Sequence, residues 1–358
     1  MSTYVKFLTL NFIKSISYVF LVMLSLVIIL NILTEIEFFK NYNVKSYFPF
    51  YLATLNSLDL IFEMFPFVFL ISTQIFFVNL FTDGQINIFK YSGLKNSKII
   101  IILSFLSFIL GILIITLFYG LSSNLKNLYL DYKNKYTDDN KYLAVVTNNG
   151  LWIKDVVNQN KLIINAAKIE GKNLKKVNIS EFDESFNLLR IINSENVDIS
   201  SNYWVLDDAS VLRENETNKK DDKSIIFSNF NYEKINNLFS NLSTLSILEL
   251  FELQDNYKRI NYSTTEIDVQ LHKLISYPLY FVLMTLLSAI IMLNVKNFKS
   301  TSFKITVGLF FCVIVYYINN LFQVLGSTGK IPLILSVWIT LIILAIVNSF
   351  LILNINEK

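Results

Sequence analysis

The sequence predicts an α-helical membrane protein with six transmembrane helices and one inserted, jelly-roll-like all-β domain. Three observations carry this. Six uncharged apolar runs are each near the roughly 20 residues that a helix rising 1.5 Å per residue needs to cross a bilayer core. They fall into two groups of three. Between the groups, the text changes to short, alternating segments broken by turn residues. With 53% hydrophobic and only 16% charged residues, the composition is not that of a soluble globular domain.

The apolar runs cover residues 15–34, 64–82, 99–125, 274–295, 305–329 and 331–356. Lys6 and Lys14 precede the first, as in a signal peptide. That run is too long for such a segment, lacks a small-residue cleavage site and leads into a second span, so it reads as an anchor. Orientation follows from lysines in short loops. The loop after span two carries Lys90, Lys95 and Lys98 against Asp83 alone, and the loop after span four carries Lys296, Lys299 and Lys304 with no acid. The opposite loops are poorer: Glu35 and Glu37 offset Lys40 and Lys45, and Lys330 stands alone. Both termini and the lysine-rich loops are therefore expected in the cytoplasm, with 124–265 outside. The expected organisation is a helix triplet in 1–123, a β domain with a returning stem in 124–265, and a second triplet in 266–358.

Between Tyr142 and Tyr232 the segments YLAVVT, GLWIKDVV, KLIINAAKI, KKVNISEF, NLLRIINSENVDI, YWVLDDASVL and SIIFSNF are rich in β-branched and aromatic residues. Turns such as Asn148-Asn149-Gly150 and Glu170-Gly171-Lys172 separate them. This spacing fits an antiparallel sandwich, a jelly roll or a partly open barrel. Alternation assigns Val145, Leu151, Ile153, Ile163, Val177, Ile179, Leu189, Ile191, Trp204 and Leu206 to the inner face, as either a sealed core or an acyl groove. A generic outer domain without a ligand fits equally. Downstream, 245–259 has helical spacing, as a membrane-surface helix or as the stem returning to span four.

Several chemistries are excluded. The net charge of +3 is too small for a nucleic-acid binder, and 124–265 balances 18 basic against 20 acidic residues. Cys312 is the one cysteine and His272 the one histidine, so neither an intramolecular disulfide nor a multi-histidine metal site exists. Gly326-Ser327-Thr328-Gly329-Lys330 lacks the spacing of a phosphate loop. No cofactor is expected, and any ATP must bind another subunit. Asp59 and Glu63, one turn apart, read either as a polar lining or as an interfacial helix start. Lys40 and Lys45 can meet an anionic headgroup as point charges, or pair with Glu35 and Glu37. Phe65 and Phe69 belong to an aromatic group near span two that faces either acyl chains or neighbouring helices.

Three segments together resemble a known family. Span two is followed by TDGQINIFKYSGLKNSK, which ends a short helix at Ser92-Gly93. The outer domain opens with NNGLWIKD and continues through NLKKVNISEFDESFNLLRI to YWVLDDASV. Span four carries LHKLISYPLYFVLMTLLSA, and NNLFQVLGSTGKIPLILSVW leads into span six. Over essentially the whole chain this resembles the lipopolysaccharide export permeases of the LptF/LptG (YjgP/YjgQ) family, with an order closest to the LptG branch. The resemblance implies a permease subunit that extracts lipopolysaccharide from the bacterial inner membrane and is not itself an enzyme. It implies an LptF-like partner permease, a cytoplasmic LptB-like ATPase dimer, and LptC- and LptA-like β-jellyroll proteins forming a periplasmic bridge. On this likeness about 83–98 is a cytoplasmic coupling helix, with Asp83, Gln85, Ile88, Phe89, Tyr91 and Ser92 at the ATPase contact. Lys40 matches a basic position for lipid phosphates, with Lys45 beside it; for such a substrate, Phe65, Phe69, Ile153 and Trp204 are the residues expected along an acyl path. The family commonly has an acid where this chain has Gln85, so a neutral hydrogen bond, or a pair from Asp83, must substitute. The alternatives are a permease for another lipid or lipoprotein, and a membrane-anchored assembly protein that uses its β domain only for docking.

Overall fold

The computed structural model describes residues 3–136, 144–147, 150–213, 216–232, 235, 242–259, 263–293 and 301–353. The chain divides into two compact units, one formed by 1–132 with 269–358 and the other by 133–268.

In the helical unit, α1 runs Thr3–Phe39, α2 Phe48–Glu63 and α3 Phe65–Thr82. Met64 joins α2 to α3. Pro66 sits in the first turn of α3, where its missing N–H has no intrahelical partner to lose. The seven-residue α4, Gln85–Tyr91, precedes α5, Asn96–Leu113, which passes through a π-helical turn at Ile114–Phe118 into α6, Tyr119–Lys133. After the β unit come Thr265–Leu293, Thr301–Ser327 and Leu333–Ile352, here α8, α9 and α10. Among the described residues, six helical segments are long and apolar enough to cross a membrane: α1, α3, α5–α6, α8, α9 and α10.

α8 is the most enclosed of the six, whereas α1 and α9 leave most of their apolar surface outward. Hydrogen bonds and small residues hold α8 in place, as suits helices packed in lipid. Ser288 donates to the Leu70 carbonyl at 2.8 Å, and the Ser107 and Thr285 hydroxyls meet at 2.9 Å. Asn348 of α10 donates to the Leu283 carbonyl at 2.9 Å. At Gly111 an added Cβ would lie 2.8 Å from the Pro278 Cα, so only glycine lets α5 approach α8 this closely.

Every span stands where hydropathy places it, yet several helices are longer than their apolar runs. α1 extends the run 15–34 at both ends, and α8 begins nine residues before position 274. Apolarity marks what lies in lipid, whereas the helix continues through the interface. Lys304, expected in a loop, lies in α9 and is buried; its ammonium donates to the Met292 carbonyl at 3.0 Å and caps the end of α8. Lys296 and Lys299, and the expected span ends at 294–295 and 354–356, lie outside the described residues.

The second unit carries one seven-stranded antiparallel sheet whose strands follow chain order. They are β1 Ala144–Thr147, β2 Gly150–Val157, β3 Asn160–Glu170, β4 Asn173–Phe182, β5 Leu188–Asp198, β6 Tyr203–Arg213 and β7 Glu216–Phe227. The sheet curls into a half-barrel, so of the three expected arrangements it is the partly open one. Its register lines up Ile153, Ile164, Ile179 and Ile192 across four strands on the sheltered face. On the opposite face Asn165, Asn178 and Asn193 form a polar ladder, with Asn178 donating to Asn193 at 2.6 Å.

The inner-face assignment needs correction on two strands. Leu162 and Ile164 are buried, and Ile163 between them turns outward; Ile192 is buried, Ile191 is not, and Leu189 is exposed. Leu151, Ile153, Val177, Ile179, Trp204 and Leu206 are buried as expected. The Val145 side chain and the Asn148-Asn149 turn lie outside the described residues.

The chain after β7 folds back over the inner face. The buried Asp155 carboxylate of β2 accepts from the Ser228 hydroxyl (2.7 Å), the Asn229 N–H (2.8 Å) and the Asn229 side-chain amide (2.9 Å). The Trp204 indole donates to the Phe230 carbonyl at 2.7 Å. The segment 245–259 supplies the helix α7, Ile247–Arg259. Ser246 and Glu249 form a capping box at its start, with reciprocal bonds of 2.7 and 3.4 Å.

Candidate functional site

Two glycines bound the short helix α4. Gly84 ends α3 at φ +68°, and Gly93 ends α4 at φ +79°; both angles lie in the left-handed region that a Cβ disfavours. The N–H groups of Gly93 and Leu94 bond back to the carbonyls of Lys90 (3.0 Å) and Phe89 (2.9 Å), a Schellman closure. Ser92 donates to the Ile88 carbonyl at 2.9 Å. The helix is thus short because of its backbone chemistry, and 96–98 already belong to α5.

One face of α4 is anchored. Ile86 is buried in a cluster with Leu8 and Phe12 of α1, Phe76 and Phe77 of α3, Ile99 of α5 and Met292 of α8. Phe89 packs against this cluster and meets the Phe7 ring edge-on at 6.0 Å. The other face is bare: Ile88 is 62% and Tyr91 91% exposed. Asp83 and Gln85 stand exposed and half-buried at the start of the elbow, with the Gln85 amide donating to the Asp83 carboxylate at 3.2 Å. A cleft of about 530 Å³ lies on the side of Lys14, Asn79, Asp83 and Gln85. A second, of about 800 Å³, lies on the side of Tyr4, Ile88, Ser92 and Lys98. An apolar knob thus stands between two clefts, rooted in a cluster shared by four helices.

At the far end of α1, Lys40 and Lys45 are exposed, and the Lys45 ammonium lies 5.9 Å from the centre of the Tyr47 ring. Glu35 does not turn towards them; it is buried and accepts from the Tyr129 hydroxyl at 2.8 Å. Asp59 and Glu63 each meet a lysine of another helix. Lys126 of α6 is 3.4 Å from Asp59 and 2.5 Å from Asn56, which in turn donates to Asn31 of α1 at 3.2 Å. Lys273 of α8 grips both oxygens of Glu63 at 2.7 Å. His272 is 3.5 Å from the Trp338 indole nitrogen of α10, a contact between helices.

Phe65 and Phe69 lie inside the helical unit. Phe69 stacks on Phe281 at 4.6 Å, and Phe65 meets Phe118 edge-on at 5.1 Å. An acyl chain reaches them only if these helices part. Ile153 and Trp204 lie in the β unit, 1% and 0% exposed, beneath the returning segment. The elbow residues are therefore brought together, whereas the four residues expected along an acyl path are enclosed in two separate cores.

Sequence reasoning missed Lys273. It sits one residue before an apolar run, and its partner Glu63 is 210 positions away. The available signal was a lysine at one span edge and the acids Asp59 and Glu63 ahead of another.

A model of the lipopolysaccharide export system permease LptF/LptG family matches residues 6–354. No individually curated protein sequence matches the chain.

Proposed function

The chain belongs to the LptF/LptG family of lipopolysaccharide export permeases, multi-pass inner-membrane transport proteins and not enzymes, and from that premise we propose that it is the LptG-like half of an ATP-driven exporter. It pairs with an LptF-like permease, takes its power stroke from an LptB-like ATPase dimer, and delivers lipopolysaccharide towards LptC- and LptA-like β-jellyroll proteins. Both termini and α4 face the cytoplasm, and the β unit lies in the periplasm, in keeping with the lysine bias of the short loops.

The observation that carries this reading is α4, a helix fixed on its inner side by Ile86 and Phe89 that leaves Ile88 and Tyr91 bare. Exposed aromatic and aliphatic side chains on a rigid, glycine-bounded helix have the anatomy of an interface anchor. Asp83, Gln85 and Ser92 rim it, and the Gln85 amide serves as a neutral hydrogen-bond donor where the family commonly has an acid. Lys40 and Lys45 meet lipid phosphates at the opposite end as mobile point charges.

Moving each methylene from lipid to water costs about 0.8 kcal/mol, so a multi-acyl lipid needs an enclosed apolar route. The helical unit supplies outward apolar faces on α1 and α9 from which a cavity can be built with a partner permease. In the β unit, Ile153 and Trp204 line that route once the segment around Phe230 lifts. The closed inner face favours a second reading for this unit alone: it docks neighbouring proteins, and the lipid passes elsewhere.

The test is the double variant Ile88→Asp/Tyr91→Asp. Co-purification with the ATPase is expected to be lost while partner-permease binding persists. Undiminished ATPase recovery would overturn the coupling role. The competing substrate class, another lipid or lipoprotein, is separated by which molecule accumulates in the inner membrane on depletion.

A further inference from the structure

Beside the Glu63–Lys273 pair the helical unit holds a polar cavity of about 40 Å³, between the α2–α3 joint, α8 and α9. On the α8 side, the Tyr277 hydroxyl donates to Glu63 at 3.2 Å. On the α9 side, the half-buried Asn319 and Gln323 and the exposed Asn320 sit about one to two turns before the helix ends. The Tyr280 hydroxyl also lines this space. Its residue is 3% exposed, and among the described residues that oxygen has no hydrogen-bond partner.

Two features point to a ligand. A buried hydroxyl left unpaired is costly, and amides on a membrane-spanning helix are costly unless they face a polar cavity or another polar group. The buried Tyr280 hydroxyl therefore lacks a donor–acceptor group in a space that the α9 amides also line. The charges narrow its chemistry. Glu63 already neutralises Lys273 through both oxygens, so an anionic phosphate finds no free cation there. A neutral hydroxyl, which both donates and accepts, matches a phenol and three amides. About 40 Å³ holds roughly one water, or one hydroxyl reaching in from a larger molecule.

We infer that this cavity is a subsite for a sugar hydroxyl on the headgroup of the transported lipid. The inference rests on the chain being a lipid permease, but not on the lipid being lipopolysaccharide.

The experiment uses the full chain in nanodiscs with the subunits that co-purify with it. Binding of glucosyl-diacylglycerol and of acetylated diacylglycerol, which has no hydroxyl, is measured for the unaltered protein, for Tyr280→Phe and for Asn320→Leu/Gln323→Leu. Tyr280→Phe keeps the ring and its packing, and a thermal melt confirms the fold. The glucosyl lipid is expected to bind about 3–10-fold more weakly to Tyr280→Phe, the loss of one hydrogen bond, with acetylated diacylglycerol unchanged. Unchanged glucosyl-lipid binding in both variants would mean that the cavity holds water alone and overturns the inference. Equal loss for both lipids would show a packing effect and overturn it too. A third arm uses lipopolysaccharide: sensitivity to Tyr280→Phe with the glucosyl lipid, but no lipopolysaccharide binding, keeps the subsite and overturns the exporter reading.

Discussion

Asp155 shows how a single side chain ties distant segments of the β unit together. Its carboxylate takes two donors from Asn229 and one from Ser228, residues more than seventy positions away. Asp155→Ala leaves those donors without their acceptor, at about 1–3 kcal/mol for each one that water cannot reach. The expected outcome is a lower unfolding temperature of the β unit, followed through the emission of Trp204, whose indole binds the same returning segment. An unchanged transition would mean that the segment is held by other contacts. The same scale explains which residues were legible. The buried Trp204 and Leu206 follow from clean alternation in YWVLDD. Ile163 does not, because Leu162-Ile163-Ile164 puts apolar side chains on both faces and alternation then has no phase. The doublets in LLRII blur Leu189 and Ile191 in the same way.

At the scale of elements, the spans were readable because lipid imposes a length and forbids charge. The helix ends were not, because pairings across sequence set them. Glu63 with Lys273 stabilises a stretch of α8 that hydropathy leaves out, and Lys304 caps α8 from inside α9. α4 was legible through the family resemblance, which ends it at Ser92-Gly93, although its seven residues are fewer than the 83–98 expected. Close packing yields the sharpest prediction here. Gly111→Leu must push α5 away from Pro278 of α8, and overpacking of this kind costs typically about 1–3 kcal/mol. Thermal unfolding in detergent should shift down by several degrees, whereas Gly120→Leu, with open space around it, should shift little. Equal shifts would show that the α5–α8 contact is not tight. The Lys273–Glu63 pair predicts a third outcome. Lys273→Met strands a part-buried carboxylate and should destabilise the helical unit more than the double change Lys273→Met/Glu63→Gln. A double variant at least as unstable as the single one would show that the two residues act independently.

At the scale of the whole molecule, two compact units divide the labour. The helical unit carries an exposed apolar elbow on α4 and, at the other end of α1, the exposed Lys40 and Lys45. The β unit is closed over its own hydrophobic face. Membership of the LptF/LptG family makes this a permease of lipopolysaccharide export; in the proposed coupling, energy from a separate ATPase enters at α4. The charge-reversed lysines Lys40→Glu/Lys45→Glu should lower lipid loading without loss of ATPase docking. Normal loading would remove both lysines from the headgroup contact.

The most direct measurement is the location of lipopolysaccharide after the chain is depleted from growing cells, with separated inner and outer membranes assayed for the lipid. The account predicts that new lipopolysaccharide accumulates in the inner membrane, and that the intact chain restores export while Ile88→Asp/Tyr91→Asp does not. Normal delivery to the outer membrane under full depletion would contradict it.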